Sequence, residues 1–218
     1  MNESNKMKTT RVCILGGTFN PPHIGHLNII RSIGREFSCD LKVLLPSGYP
    51  PHKNRDSLAS KKDRKAMLEL LAAGDPDIII SDIELKRRKT TYTVDTLTGW
   101  HAEHPDHELF YIIGSDTLFQ LESWKDFSTV SQLTNFICVP RPGDETVSIS
   151  LKAAEIEQAY DTKIFISEYI GMDISSTKLR LMIKDRDQEA KRFLSAPVFD
   201  YIVSRGLYSE LPTFWQKK

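Results

Sequence analysis

Val12-Cys-Ile-Leu15, running into Gly16-Gly-Thr-Phe-Asn-Pro-Pro-His-Ile-Gly-His26, is the stretch that decides the fold. A short apolar run stops at two glycines, as a buried strand does at its end. Leu27, Ile29, Ile30 and Ile33 then recur at the spacing of a helix face. The reading is a strand, a tight polar loop and a helix N-terminus, with His23 and His26 at the helix start. In an α/β protein such a junction suits an anion, because unpaired backbone N–H groups and the positive end of the helix dipole converge there.

Outward from this junction the same alternation repeats. Apolar strand runs fall at 11–15, 40–45, 78–80, 109–113, 135–139 and 163–167. Helical patterns fall at about 26–37, from the Ser60-x-x-Asp63 cap to Gly74, at 93–100, at 117–121 and at 151–160. A hydroxyl-rich cap, Asp173-Ile-Ser-Ser-Thr177, feeds a further helix. A last one covers 196–205, with Pro197 at its first position and Gly206 just past its end. Strands alternating with helices predict an α/β fold: a Rossmann-like, doubly wound parallel sheet with helices on both faces. Residues 1–10 read as a flexible tail and 11–210 as a single domain, in which about 170–210 form a small helical C-terminal part. The chain from Leu207 reads as tail, with 211–218 as its end.

The 218 residues carry 29 Lys and Arg against 29 Asp and Glu, a formal net charge of zero. This balance argues against a strongly basic nucleic-acid binder. Residues 1–11 are polar and lack the apolar core of a signal peptide, and no apolar run is long enough to span a bilayer. Cys13, Cys39 and Cys138 are scattered, odd in number and set among apolar residues, as buried free thiols in a reducing cytoplasm would be.

In an open α/β sheet, ligands collect at the carboxyl ends of the strands. The residues that follow the strand runs there are Gly16, Gly17, Thr18, Asn20, His23 and His26; then His52, Lys53 and Arg55; then Ser115 and Asp116; then Arg141; and finally Ser175, Ser176, Thr177 and Arg180. Cations, hydroxyls, histidines and backbone N–H groups together suit a polyanion such as a nucleoside triphosphate. The first loop is neither a GxGxxG fingerprint, since Phe19 and Asn20 stand in it, nor a Walker A loop, which ends in Gly-Lys-Ser/Thr. Each piece also has a plainer reading. His23 and His26 could be half of a metal site, though no third ligand follows at a fitting spacing. The Ser-Ser-Thr run could be a simple helix cap, Arg180 a solvated charge, Asp116 a local cap and Trp124 a core residue. What favours a ligand is that these groups fall on one edge of one sheet.

The quoted junction resembles the GGTFDPxHxGH signature of the nucleotidyltransferase superfamily, and Ile174-Ser-Ser-Thr-Lys-Leu-Arg180 resembles its second signature, ISSTxIR. Pro50-Pro-His-Lys53, Thr91-Tyr-Thr-Val-Asp-Thr-Leu97, Ile113-Gly-Ser-Asp-Thr-Leu118 and Trp124-Lys125 are similar to segments of bacterial nicotinate-nucleotide adenylyltransferases. Asn20 departs from the pattern, which usually has Asp there; Asn is common in relatives that use nicotinamide mononucleotide.

The resemblance implies transfer of AMP from ATP to nicotinate mononucleotide, giving the deamido dinucleotide and pyrophosphate, a step of NAD synthesis. His23 and His26 would be catalytic, and either would supply positive charge if protonated. Gly16, Gly17, Thr18, Phe19, Lys53, Arg55, Ser175, Ser176, Thr177 and Arg180 would hold ATP. Thr93, Asp116, Trp124, Lys125 and Arg141 would hold the mononucleotide: Trp124 stacking on the pyridine ring, Thr93 and the N–H of Trp124 or Lys125 meeting the carboxylate. Mg²⁺ would be held mainly by substrate phosphates, with Asp116 as the candidate protein ligand. The partners implied are these small molecules, not nucleic acid or membrane, with the chain a cytoplasmic monomer or small homo-oligomer. A transferase preferring nicotinamide mononucleotide, a pantetheine-phosphate adenylyltransferase and a non-catalytic nucleotide-binding module are the alternatives.

Overall fold

The computed structural model describes residues 9–50 and 58–209. Strands β1 (Thr10–Gly17), β2 (Leu41–Pro46), β3 (Ile78–Ile80), β4 (His107–Gly114), β5 (Asn135–Val139) and β6 (Ile164–Ile166) form one sheet in the order β3-β2-β1-β4-β5-β6. Every neighbouring pair is parallel. The helices among the described residues are α1 (Ile24–Glu36), α2 (Lys61–Ala72), α3 (Thr93–Glu103), α4 (Ser115–Leu118), α5 (Phe127–Leu133), α6 (Thr146–Ala159), α7 (Ser176–Lys184) and α8 (Ala196–Ser204).

Successive strand residues point to opposite faces, so a parallel strand buried on both sides must be apolar throughout. The core divides accordingly. Cys13, Leu15, Leu44, Phe110 and Ile137 pack against Ile30 and Ile33 of α1, Met67 and Leu68 of α2, and Val198 and Ile202 of α8. Val12, Ile14, Val43, Tyr111 and Phe136 pack on the other side against Leu97 of α3, Val130 of α5 and Ile156 of α6. The doubly wound fold expected from the sequence is therefore present. Helices α7 and α8 contribute Leu179, Val198 and Ile202 to the same cluster as α1 and α2.

The strand order reverses between β1 and β4, which lie side by side with Ile14 opposite Tyr111 and Leu15 opposite Ile112. The crevice outside the carboxyl ends of these two strands is where such sheets bind ligands. Gly16 lies at the end of β1, and an added Cβ there would collide with the Tyr111 hydroxyl. Only glycine leaves room for the Tyr111 ring beside β1.

Several boundaries differ from the sequence reading. Helix α5 was not expected: its sequence, Phe-Ser-Thr-Val-Ser-Gln-Leu, is short and rich in weak helix formers, and it is held by burial of Phe127 and Val130. Helix α6 begins at Thr146 rather than 151, through a Thr-Val-Ser-Ile-Ser segment with several residues that favour strands. Helix α4 starts at Ser115 rather than 117. Pro197 is the second helical residue of α8, not the first. Thr10 already belongs to β1.

The expectation of a tail from Leu207 is corrected. Tyr208 is buried, and its hydroxyl donates to Asn20 Oδ1 at 2.8 Å. Replacing Tyr208 with Phe removes that donor while the Ala59 N–H, at 3.0 Å, still serves the same oxygen. The expected result is a loss of about 1 kcal/mol, read as a lower urea midpoint at unchanged slope.

Candidate active site

The loop between β1 and α1 is held by its acceptors. Thr18 O accepts from Arg64 Nη1 at 2.8 Å, Asn20 O from Arg180 Nη1 at 2.7 Å and Pro21 O from the Ser176 hydroxyl at 2.8 Å. Phe19 adopts φ +50°, in the left-handed region, and is 1% exposed. Its side chain belongs to the core, so any part it plays toward ATP falls to its backbone.

His23 is the N-cap of α1, and its backbone N–H donates to His26 Nδ1 at 3.1 Å. With Nδ1 accepting, a neutral His26 carries its proton on Nε2. The two rings lie 3.7 Å apart between centroids. Gly25 makes room for this: a Cβ there would lie 2.9 Å from His23 Nδ1. His23 is 5% exposed, and burial lowers its pKa to about 4. In the free protein it is therefore neutral at physiological pH. Among the described residues its buried Nδ1 has no hydrogen-bond partner.

Two cavities open at the end of β1, one on each side. The first, about 230 Å³, is lined by Gly16, His23, His26, Arg141, Ser175 and Ser176, among others. The second, about 430 Å³, is lined by Gly17, Ser47, Glu84, Thr91, Tyr92, Thr93, Tyr111, Trp124 and Lys125, among others.

On the histidine side the hydroxyls already have tasks. Ser175 caps α7 by accepting from the Lys178 N–H at 3.2 Å, and Thr177 Oγ1 accepts from Arg180 Nη2 at 3.2 Å. Arg180 is 5% exposed. Arg141 lies on this side too, although the sequence grouped it with the mononucleotide set, and it is paired with Asp116 at 3.1 Å. Lys53 and Arg55 lie outside the described residues.

The larger cavity has aromatic walls. Trp124 meets Tyr111 edge-on at 5.6 Å, and Lys125 Nζ lies 4.4 Å from the Tyr92 ring centroid. The Trp124 N–H, one of the two expected to meet the carboxylate, donates instead to Leu121 O at 3.1 Å. The tight turn over 121–123 takes it.

Sequence reading missed Ser47, Glu84, Thr91 and Tyr111 on this cavity, and Arg64 and Tyr208 behind the loops. Ser47 directly follows β2 and Thr91 stands within a quoted segment, so position could have flagged both. Arg64 gave no signal; in sequence it is one more cation on a charged helix. In the fold it is 1% exposed and donates to three carbonyls, Thr18, Gly48 and Ala59.

This is a nucleotide-binding α/β architecture with its phosphate-type residues at the switch point. The chain belongs to the cytidylyltransferase-like family, whose model matches residues 14–182. Within it, a Caldicellulosiruptor saccharolyticus protein named as a probable nicotinate-nucleotide adenylyltransferase is 34% identical, covering 92% of this chain and 100% of its own length. A relative of the same name from Symbiobacterium thermophilum is 32% identical, covering 91% of this chain and 95% of its own length. Structures of the Plasmodium falciparum nicotinic acid mononucleotide adenylyltransferase share the fold. The complex with APC has a TM-score of 0.75 at 21% identity, and the complex with NaAD has 0.76 at 20%; each covers 92% of this chain and 98% of its own. Among the described residues no helix is long and apolar enough to cross a membrane.

The buried neutral state of His23 carries a pH consequence. Its folded pKa of about 4 lies below the 6.5 of an unfolded histidine. The unfolded chain therefore takes the proton first. Stability from this group is complete above pH 6.5, declines as pH falls toward 4 and is fully lost below, by about 3 kcal/mol in all. His23→Asn should flatten that part of a stability-against-pH curve measured by urea unfolding.

Proposed function

We propose that this chain transfers AMP from ATP to nicotinate mononucleotide, releasing pyrophosphate and forming the deamido dinucleotide. The observation that carries this reading is the pair of cavities meeting at Gly16 and Gly17, one lined by histidines and a helix N-terminus, the other by aromatic rings. The names of the relatives support it.

ATP takes the histidine side and the mononucleotide the aromatic side, so the 5′-phosphate reaches the α-phosphorus across the end of β1. A new P–O bond forms to the 5′-phosphate oxygen, and the bond to the bridging oxygen of pyrophosphate breaks. A phosphate monoester, with a second pKa of about 6, is already mostly dianionic at neutral pH. No general base is needed, and the work is positioning and charge stabilisation. His26 and His23 act as hydrogen-bonding groups toward the triphosphate. Ser175, Thr177 and the first N–H groups of α7 meet the outer phosphates, with Lys53 and Arg55 as further candidates. Arg180 and Ser176 act by holding the loop, and Arg141 supplies charge on the histidine side.

A divalent ion fits as part of the substrate. Among the described residues no three His, Cys, Asp or Glu side chains gather to hold one, and Asp116 is the acidic side chain paired with the Arg141 guanidinium. Mg²⁺ would thus arrive on the triphosphate, where it would offset phosphate charge. Small-molecule substrates and a cytoplasmic setting complete the proposal.

The test is to assay the purified chain with ATP, Mg²⁺ and either nicotinate or nicotinamide mononucleotide, detecting pyrophosphate and dinucleotide. Faster turnover of the acid is expected; exclusive use of the amide would overturn the substrate assignment. His23→Ala should lower kcat by about 10²–10³-fold with far-ultraviolet circular dichroism unchanged. Thr93→Ala should narrow the acid-over-amide ratio of kcat/KM, and an unaltered ratio would place the discrimination elsewhere.

A further inference from the structure

Two hydroxyls on the wall of the larger cavity stand out because nothing among the described residues satisfies them. Thr91 is 5% exposed, and its Oγ1 has no hydrogen-bond partner among the described residues. Ser47 Oγ is likewise buried and without a partner. Both residues line the 430 Å³ cavity. A buried polar atom left unpaired is costly, and native structures keep few of them.

Other polar groups around them are served, which makes the exception informative. Glu84, on the same wall, accepts from the Gly48 N–H at 3.3 Å and from the Thr96 hydroxyl at 2.9 Å. The Thr91 N–H donates to Tyr49 O at 3.1 Å, and the Ser47 N–H donates to Gly17 O at 2.8 Å. The backbones of Thr91 and Ser47 are thus fixed by the fold, while their buried hydroxyls have no hydrogen-bond partner among the described residues. A Cβ on Gly48 would sit 3.1 Å from Thr91 Cγ2, so the segment after β2 packs directly on Thr91.

We infer that Thr91 and Ser47 are mononucleotide-binding residues whose hydroxyls are completed by hydrogen bonds to the substrate. This rests on the assignment of the aromatic cavity to the mononucleotide. A hydroxyl rotates to donate or to accept, so it can serve a ring carboxylate, a ring carboxamide or a ribose hydroxyl. The shared chemistry is a polar oxygen or nitrogen presented by the pyridine mononucleotide.

Stability and substrate use should then part company. In the free protein the hydroxyls gain nothing, so Thr91→Val and Ser47→Ala should unfold at or above the wild-type temperature. In the complex they are bonded, so each variant should lose about tenfold in kcat/KM for the mononucleotide, with KM for ATP unchanged. Thr91→Ser keeps the hydroxyl and should restore most of the mononucleotide KM. A loss larger for nicotinate than for nicotinamide mononucleotide places the contact at the ring substituent; an equal loss places it at the ribose, and either supports the inference. Wild-type KM for the mononucleotide in both Thr91→Val and Ser47→Ala overturns it, as does a loss that falls equally on ATP. A wild-type chain that forms no dinucleotide from either mononucleotide overturns the functional reading as well, so the two failures are told apart.

Discussion

Everything at this site depends on how the carbonyl groups of loop 18–21 are gripped. Arg64 comes from α2, and Arg180 and Ser176 from α7, yet all three donate to oxygens of one short loop. Tyr208 and the Ala59 N–H take the Asn20 side chain from two further directions. A polar loop over a sheet has no ladder to satisfy it, so its acceptors must find donors elsewhere. Here they find them in the protein beneath, which fixes the path of the chain into His23. The cost is burial of two guanidinium groups, and burial is the leading cause that lowers the pKa of Arg64 and of Arg180 alike. Their carbonyl partners are what make it tolerable to keep those charges inside.

The grip also ties two loops together. Arg64 donates to Thr18 O in the loop after β1 and to Gly48 O at 3.2 Å in the segment after β2. Glu84 takes the N–H of the same Gly48, so the residue is held from both ends. The loops after β1 and β2 therefore share one buried anchor, while Gly16 and Gly17 keep the strand end between the two cavities thin. In-line transfer between two anions needs this kind of fixed geometry more than it needs a base.

Much of this was legible in the sequence, because strand-end position is a local property. The Gly-Gly stop, the Ser175 cap and the apolar runs are each set by a few adjacent residues, and they give the doubly wound sheet and its binding edge. What was not legible depends on residues far apart in the chain. Arg64 and Tyr208 reach the first loop across 46 and 188 positions, and neither carries a pattern that announces burial. The charge state of His23 was equally hidden, since it follows from enclosure and not from its neighbours in sequence. Helix α5 was missed for a related reason: its weak local propensity is overridden by packing of Phe127 and Val130.

Asn20 shows how the holding of the loop and the reading of the substrate are kept separate. The sequence pattern leads one to expect Asp at this position, which would suggest a role toward ligand. In the fold the side chain is 2% exposed, and its Oδ1 accepts from Tyr208 and Ala59 while its carbonyl accepts from Arg180. An amide oxygen and a carboxylate oxygen can both accept those two bonds, so the acceptor geometry does not distinguish Asn from Asp. The amide does so without adding a buried charge, which is the less costly choice beside groups already satisfied. The residues lining the aromatic cavity are a different set, on β2, on β4 and at the start of α3. Substrate preference can therefore be argued from Thr91, Thr93 and Trp124, with Asn20 left to the architecture that holds the histidines in place.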